Sequence, residues 1–182
     1  MKERYIFKSA RLGFRNWQET DLDKLYKINS DKRVMEFFPS IVSREDTKHF
    51  ISRMKEMLTA HGFCYFAVEK LNTGEFVGFT GLAEQNYESV VTPCIDIGWR
   101  LDAEYWGQGF ATEGAKACLD YGFKDLDIEK IRSIAPVINK RSIQVMKKIG
   151  MEKHTDFDNP FLKDHKSLER CVCYEIRNIK KT

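Results

Sequence analysis

The chain has 182 residues, with 30 Lys and Arg against 27 Asp and Glu and a formal net charge of +3. That length suits a single domain over 1–182 with a sizeable core, and so small a charge gives no reason to expect direct nucleic-acid binding. No apolar run reaches the roughly 18 residues of a membrane helix, and Met1–Ile6 lacks the apolar stretch of a signal peptide, so a cytoplasmic location away from membranes is expected.

In chain order, Arg11 to Arg15 reads as a first strand. Thr20-Asp21-Leu22-Asp23 opens a helix, with Thr20 as cap, an acid three residues on, and Leu22, Leu25 and Ile28 as the apolar stripe. Ser43-Arg44-Glu45-Asp46 repeats that logic, and Phe50, Ile51, Met54, Met57 and Leu58 follow at helical spacing. Strands over 63–71 and 76–83 flank Asn72-Thr73-Gly74-Glu75, a hairpin signal. A strand over 94–101, a helix from about 110 to 123, a strand over 131–138 and a helix over 141–149 come next, with Gly150 as a left-handed cap. Strands near 152–157 and 169–179 finish the chain. The order predicts an α+β (mixed α/β) fold. The five cysteines lack Cys-x-x-Cys spacing and the four histidines are scattered. Cys171 and Cys173 share one strand face without further ligands, so free thiols are expected and no metal.

The densest signal is Asp96-Ile97-Gly98-Trp99-Arg100-Leu101 followed by Trp106-Gly107-Gln108-Gly109-Phe110-Ala111-Thr112-Glu113. In the first part Ile95, Ile97, Trp99 and Leu101 alternate onto one face, as in a half-buried strand. The second part is a glycine turn opening a helix, and the unpaired N–H groups of such a turn can hold a phosphate. Gly109 is followed by Phe110, so the Gly-Lys-Ser/Thr of a P-loop is absent, and the three-glycine dinucleotide fingerprint is absent too.

These residues, with Thr92-Pro93-Cys94-Ile95, Asn139-x-x-Ser142, Val145-Met146-Lys147-Lys148-Ile149-Gly150-Met151, the opening Arg11-Leu12 and the late Phe157-Asp158-Asn159-Pro160, resemble the GNAT acyltransferases, in particular the ribosomal-protein N-terminal acetyltransferases. The resemblance covers nearly the whole chain. It implies a central, mostly antiparallel twisted sheet flanked by about four helices, and acetyl-CoA as co-substrate. The pantetheine arm would lie along Ile97, Gly98, Trp99, Arg100 and Leu101. The pyrophosphate would sit on Trp106, Gly107, Gln108, Gly109, Phe110, Ala111 and Thr112, and Asn139 and Ser142 would touch the same ligand. The family's Gln or Arg three residues before its Gly-x-Gly/Ala step falls on Trp106, whose alternative role is packing beside Tyr105. The family's thiolate-protonating tyrosine falls on Met146, which has no proton to give.

The chemistry needs a neutral amine. Asp96 is the candidate base, on the strand face shared by Cys94, Gly98 and Arg100; its alternative is an ion pair with Arg100 or another cation. Glu84, Glu88 and Glu113 are weaker candidates, and Glu113 fits the first helical turn. Ser142 is the candidate donor to the thiolate, with capping of the helix by Asn139 and Ser142 as the alternative. Lys116, Lys140, Arg141, Lys147 and Lys148 read as a solvated basic face that could also meet a CoA phosphate. The acceptor pocket is expected from Phe37, Phe38, Phe79 and Tyr87, within a wider aromatic set holding Trp17, Met35 and Phe161. The expected acceptor is the N-terminal α-amine of a protein. A small amine such as a polyamine, amino acid or aminoglycoside is the alternative, as is a non-catalytic acyl-CoA sensor. Monomer and homodimer are both compatible with the sequence.

Overall fold

The computed structural model describes residues 4–178. Its centre is an eight-stranded sheet in the order β1-β2-β3-β4-β5-β6-β8-β7. The strands are β1 (Phe7–Lys8), β2 (Leu12–Arg15), β3 (Tyr65–Lys70), β4 (Phe76–Gln85), β5 (Cys94–Leu101), β6 (Lys130–Pro136), β7 (Glu152–Asp158) and β8 (Arg170–Arg177). The helices are α1 (Leu22–Ser30), α2 (Arg44–His61), α3 (Phe110–Lys124), α4 (Lys140–Lys148) and the single turn α5 (Lys166–Glu169). Every paired neighbour is antiparallel except β5 and β6, as a mostly antiparallel α+β sheet requires.

The local signals act largely as read. Ser43 Oγ accepts from the Asp46 N–H at 3.0 Å and opens α2, and Gly62 closes it at φ 77°. Ile51 and Met54 of α2 and Leu25 and Ile28 of α1 are buried. Gly150 takes φ 87°, the left-handed conformation expected after α4. Thr20, however, does not cap α1. A short 3₁₀ turn over Glu19–Asp21 precedes the helix, and Asp21 takes the structural role. Its carboxylate accepts from the Gln18 N–H at 2.8 Å and from Arg15 at 2.6 and 2.7 Å. Arg15 also reaches Glu69 at 2.7 Å, so one buried guanidinium ties β2, β3 and the start of α1 together. Removing one partner from such a group leaves a buried charge uncompensated, at a cost of about 3–5 kcal/mol.

The expected strand over 131–138 stops at Pro136, which has no N–H to continue a ladder. Asn139 N–H then closes a turn on Pro136 O at 2.9 Å, and α4 begins. The two-residue β1 lay below the length at which alternation is readable. The last strand ends at Arg177, and Ile179, in the expected range, lies outside the described residues.

The joint between β5 and β6 positions the site. Their only registered pair is Asp96↔Arg132. Ser133 Oγ donates to Ile97 O at 2.9 Å just beyond it, and from there the strands diverge. β4 covers the other edge of β5 along 94–101. By antiparallel alternation Ile97, Trp99 and Leu101 turn their N–H and C=O groups toward the gap. Ser133 occupies the carbonyl of Ile97, and the Trp106 indole N–H donates to that of Leu101 at 3.1 Å. Trp99 is left facing the gap between them.

Candidate active site

A cleft of about 580 Å³ opens at this gap. Trp99, Arg100 and Leu101 form its floor, the segment from Tyr105 to Thr112 one wall, and Asn139 to Ser142 with Val145 and Lys148 another. Arg33, Val34, Phe37 and Phe38, from the segment after α1, close the third side. A larger groove, about 770 Å³, lies between α3 and β7–β8, but it contains neither the glycine turn nor any residue of β5.

The turn has the geometry the sequence implied. Gly107 and Gly109 take φ values of 74° and 82°, left-handed conformations in which glycine is favoured. A Cβ on Gly107 would meet nothing within 4 Å, so that backbone is open to the cleft. The turn is braced from behind. Glu113 accepts from Arg11 Nε at 2.6 Å, from the Arg11 N–H at 2.8 Å and from Ser9 Oγ at 2.7 Å. Arg11 Nη2 also donates to Gln108 O at 3.1 Å. Glu113 is thus a brace rather than a base. Asn139 Oδ1 accepts from the Ser142 N–H at 3.1 Å, so the capping role is realised, and both residues still line the cleft. Met146, at the position of the family's tyrosine, is buried in the core.

Trp106 combines packing with a place in the cleft wall. Its indole is fixed by Leu101 O, and the Arg141 guanidinium lies 4.4 Å from its ring centroid. Arg141 also pairs with Glu36 at 2.5 Å, a strap between α4 and the segment after α1. The basic set divides. Lys140, Arg141 and Lys148 line the cleft, whereas Lys116 lines the other groove. No Asp or Glu is among the lining residues of the cleft.

Asp96 lies deeper along β5 than the cleft floor and is 8% exposed. Burial lifts its carboxyl from near 3.8 to about 7, against the opposing pull of the Tyr65 hydroxyl and the Ile134 N–H. The Tyr65 hydroxyl donates to Asp96 Oδ2 at 2.6 Å, and Gln85 Nε2 donates to that hydroxyl at 3.4 Å. Burial, with the Asp96 charge, holds the Tyr65 phenol well above its usual range, so it remains protonated. The alternative pairing of Asp96 with Arg100 does not occur; Arg100 instead donates to Asn29 Oδ1 at 2.6 Å.

Of the residues expected to touch acetyl-CoA, Ile97, Gly98 and Gln108 lie outside the cleft lining. Ile97 is core and its carbonyl is taken, and the Gln108 side chain folds back to Glu104 O at 3.0 Å. Of the expected acceptor contacts, Phe37 and Phe38 line the cleft and two do not. Phe79 is buried among Trp17, Phe50 and Tyr65, because the ring of a central-strand residue on that face falls under α2. Tyr87 lies outside the cleft lining, its ring 4.8 Å from that of the exposed Phe161, though burial and then the charge of the nearby Asp96 raise its phenol above the usual range. Trp17 and Met35 are also core.

Tyr65 escaped the sequence reading because its partner is 31 residues away. The register Tyr65↔Gly81↔Gly98 brings it there. A Cβ on Gly98 would stand 3.1 Å from Tyr65 Cε1, so the glycine makes room for the ring. A glycine inside a strand was the available signal of such a close approach.

Residues 11–152 match the family model described as an acetyltransferase (GNAT) domain. The chain belongs to the GNAT acetyltransferases. It is 31% identical over 150 residues to the uncharacterized N-acetyltransferase YnaD of Bacillus subtilis, covering 82% of this chain and 84% of that one. It is 31% identical over 88 residues to the spermidine N(1)-acetyltransferase of Escherichia coli K12, covering 48% of this chain and 46% of that one. The structure of a ribosomal-protein-S5-alanine acetyltransferase from Vibrio fischeri superposes with a TM-score of 0.76 at 18% identity, over 97% of this chain and 98% of that one. This GNAT protein is accordingly an N-acetyltransferase that moves an acetyl group from acetyl-CoA to an amine.

Proposed function

We propose that the acceptor is the α-amine of a peptide or protein N-terminus, and that Asp96 takes up the proton the amine loses. The environment of Asp96 carries this reading. A carboxylate held at about 7 is half ionised near neutral pH. It is matched to an α-amine, whose pKa is roughly 7.7–8, far better than to an alkyl amine near 10.4. The cleft supports the same choice. No acid lines it, Arg33 and Arg141 are paired with Asp31 and Glu36, and Arg100 is left as the cation on the acceptor side, a poor surface for a polycation such as spermidine. The Vibrio fischeri neighbour is named for a protein-alanine acceptor and the Escherichia coli relative for spermidine, and the charge pattern favours the first.

The residues fit acetyl-CoA, which supplies the activated acetyl group when bound. The open backbone at Gly107 and the start of α3 would hold its pyrophosphate, with Lys140 and Lys148 near the phosphates. The N–H and C=O of Trp99 would pair with the extended arm as a sheet edge pairs with a peptide. Ser142 lines the cleft, its hydroxyl has no protein partner among the described residues, and it can hydrogen-bond the departing thiolate and relay a proton to it from water. Proton transfer to Asp96 passes directly, through the Tyr65 hydroxyl, or through one water.

The test is thiol release from acetyl-CoA with three acceptors: a peptide with a free N-terminus, the same peptide Nα-blocked but carrying lysine, and spermidine. The free α-amine should be acetylated most efficiently, with the added mass on residue 1 of the peptide. Faster turnover of spermidine or of the blocked peptide would overturn the reading.

A further inference from the structure

We propose that Arg100 recognises a carboxylate on the acceptor, beside the amine that is acetylated; the inference rests on the transferase reading above. Among the described residues Arg100 has no anion as a partner, and its one side-chain hydrogen bond goes to the neutral Asn29 Oδ1, at 2.6 Å. Its Nε is buried with no partner. Its guanidinium lies 4.3 Å from the Phe38 ring centroid and 5.4 Å from that of Phe79, contacts that orient a cation without neutralising it. Arg100 is half-buried, and partial loss of water around a charge without a counter-charge lowers this group from 12.5 to about 10.

The guanidinium is also held in place. Asn29 Nδ2 donates to Thr47 Oγ1 at 3.0 Å, and Thr47 Oγ1 donates to Ser43 O at 2.8 Å. Asn29 and Thr47 are 1% and 0% exposed. That chain fixes the amide so that its oxygen, not its nitrogen, meets Arg100. Asn29 is therefore a positioning residue, one that supplies a dipole where a carboxylate would have quenched the charge.

The phosphates of CoA do not account for Arg100. Phe79, paired directly with Arg100 across β4–β5, packs on Phe50 of α2. The next residue, Thr80, faces the opposite side of the sheet, where its Oγ1 lies 3.3 Å from the position a Cβ on Gly114 of α3 would take. Arg100 thus belongs to the α1–α2 side, and the glycine turn leads into a helix on the other. Phe38, 40% exposed, and Arg100 border the cleft on the side from which an acceptor reaches β5. A guanidinium with unmet donors binds a carboxylate through charge-assisted hydrogen bonds. The carboxylate is the α-carboxylate of a free amino acid or an acidic side chain next to an N-terminal α-amine.

The experiment uses matched acceptors in which only the carboxylate changes. One pair is a free amino acid and its amide; the other is a peptide with an acidic second residue and its Gln counterpart. Binding to the CoA-saturated protein is read by calorimetry and turnover by thiol release. At least one pair should favour the acid by on the order of 10- to 100-fold in kcat/KM, and the pair that does identifies the source. In Arg100→Gln, and independently in Asn29→Asp, which gives Arg100 an internal counter-charge, the acid-to-neutral ratio should fall to near 1 with a cooperative melting transition retained. Equal use of acid and neutral forms by the unaltered protein, or an unchanged ratio in both variants, overturns the inference and leaves the transferase reading intact. Preferential binding of an acid without acetylation of any acceptor would support the carboxylate site and overturn the proposed α-amine acceptor instead.

Discussion

Replacing Asp96 with Asn separates chemistry from stability, because the two should move in opposite directions. In the folded protein the Asp96 carboxyl sits at about 7, raised by burial from an ordinary value near 3.8. An acid whose folded pKa is raised holds its proton in the native state while the unfolded chain has already ionised. Stability therefore declines as pH rises from about 4 to about 7 and is level above that. The shift of roughly 3 units, at 1.36 kcal/mol each, makes the ionised residue cost up to ~4 kcal/mol at pH 8. Asn removes that charge but leaves an amide NH₂ to desolvate, at about 1–3 kcal/mol. The net expectation at pH 8 is a gain on the order of 1–3 kcal/mol, or about 2–4 °C in Tm per kcal/mol for a chain of this length. The variant should also lose much of the wild-type fall in stability across pH 4–7. Turnover should drop by about 10²- to 10⁴-fold, the usual contribution of a general base. Wild-type kcat/KM should rise with pH through a midpoint near 7. The measurements are thermal melts at pH 5 and 8 and initial rates across pH 5.5–9. A variant within threefold of wild-type turnover, or a wild-type rate profile flat between pH 6 and 8, would refute the assignment.

Two further outcomes follow from the cleft. Acetyl-CoA at a hundred times its Kd should stabilise the protein by about 2.7 kcal/mol, a rise of about 5–10 °C in Tm. ATP and NAD should give no comparable shift in the same scan. Gly107→Ala places a methyl group in open space at φ 74°, where strain costs about 1–2 kcal/mol. It should also raise the Kd for acetyl-CoA by about tenfold or more, read by calorimetry; unchanged affinity would mean that no ligand approaches that backbone.

Much of the frame was legible because its causes are local. Ser43 announces a helix start by its side chain and Gly150 a helix end by its backbone preference, and the alternation of Ile95 to Leu101 marks β5 without help from elsewhere. The glycine turn was legible for the same reason, since positive φ at Gly107 and Gly109 is a property of those residues. What the sequence could not supply were pairings across the sheet. Tyr65 meets Asp96, and Asn29 meets Arg100, only once three strands and a helix are in register. Thr20 misled because the chain enters α1 through a 3₁₀ turn, where Asp21 caps the Gln18 N–H and pairs with Arg15. The aromatic set misled for a related reason. Phe37 and Phe79 look alike in sequence, but one lies on a surface segment and the other on a central strand beneath α2.

Asp96 itself, registered with Arg132, stands at the joint between the two halves of the sheet. The sheet consists of one leaf from β1 to β5 and another from β6 to β7, joined along β5–β6 by that registered pair and the Ser133 bond just beyond it. Any rotation of one leaf against the other displaces groups in proportion to their distance from the joint. Trp99, Arg100 and the walls at the mouth travel farthest, while the Asp96 carboxylate stays almost where it is. Rotation about the joint would therefore change the width of the mouth more than the position of Asp96.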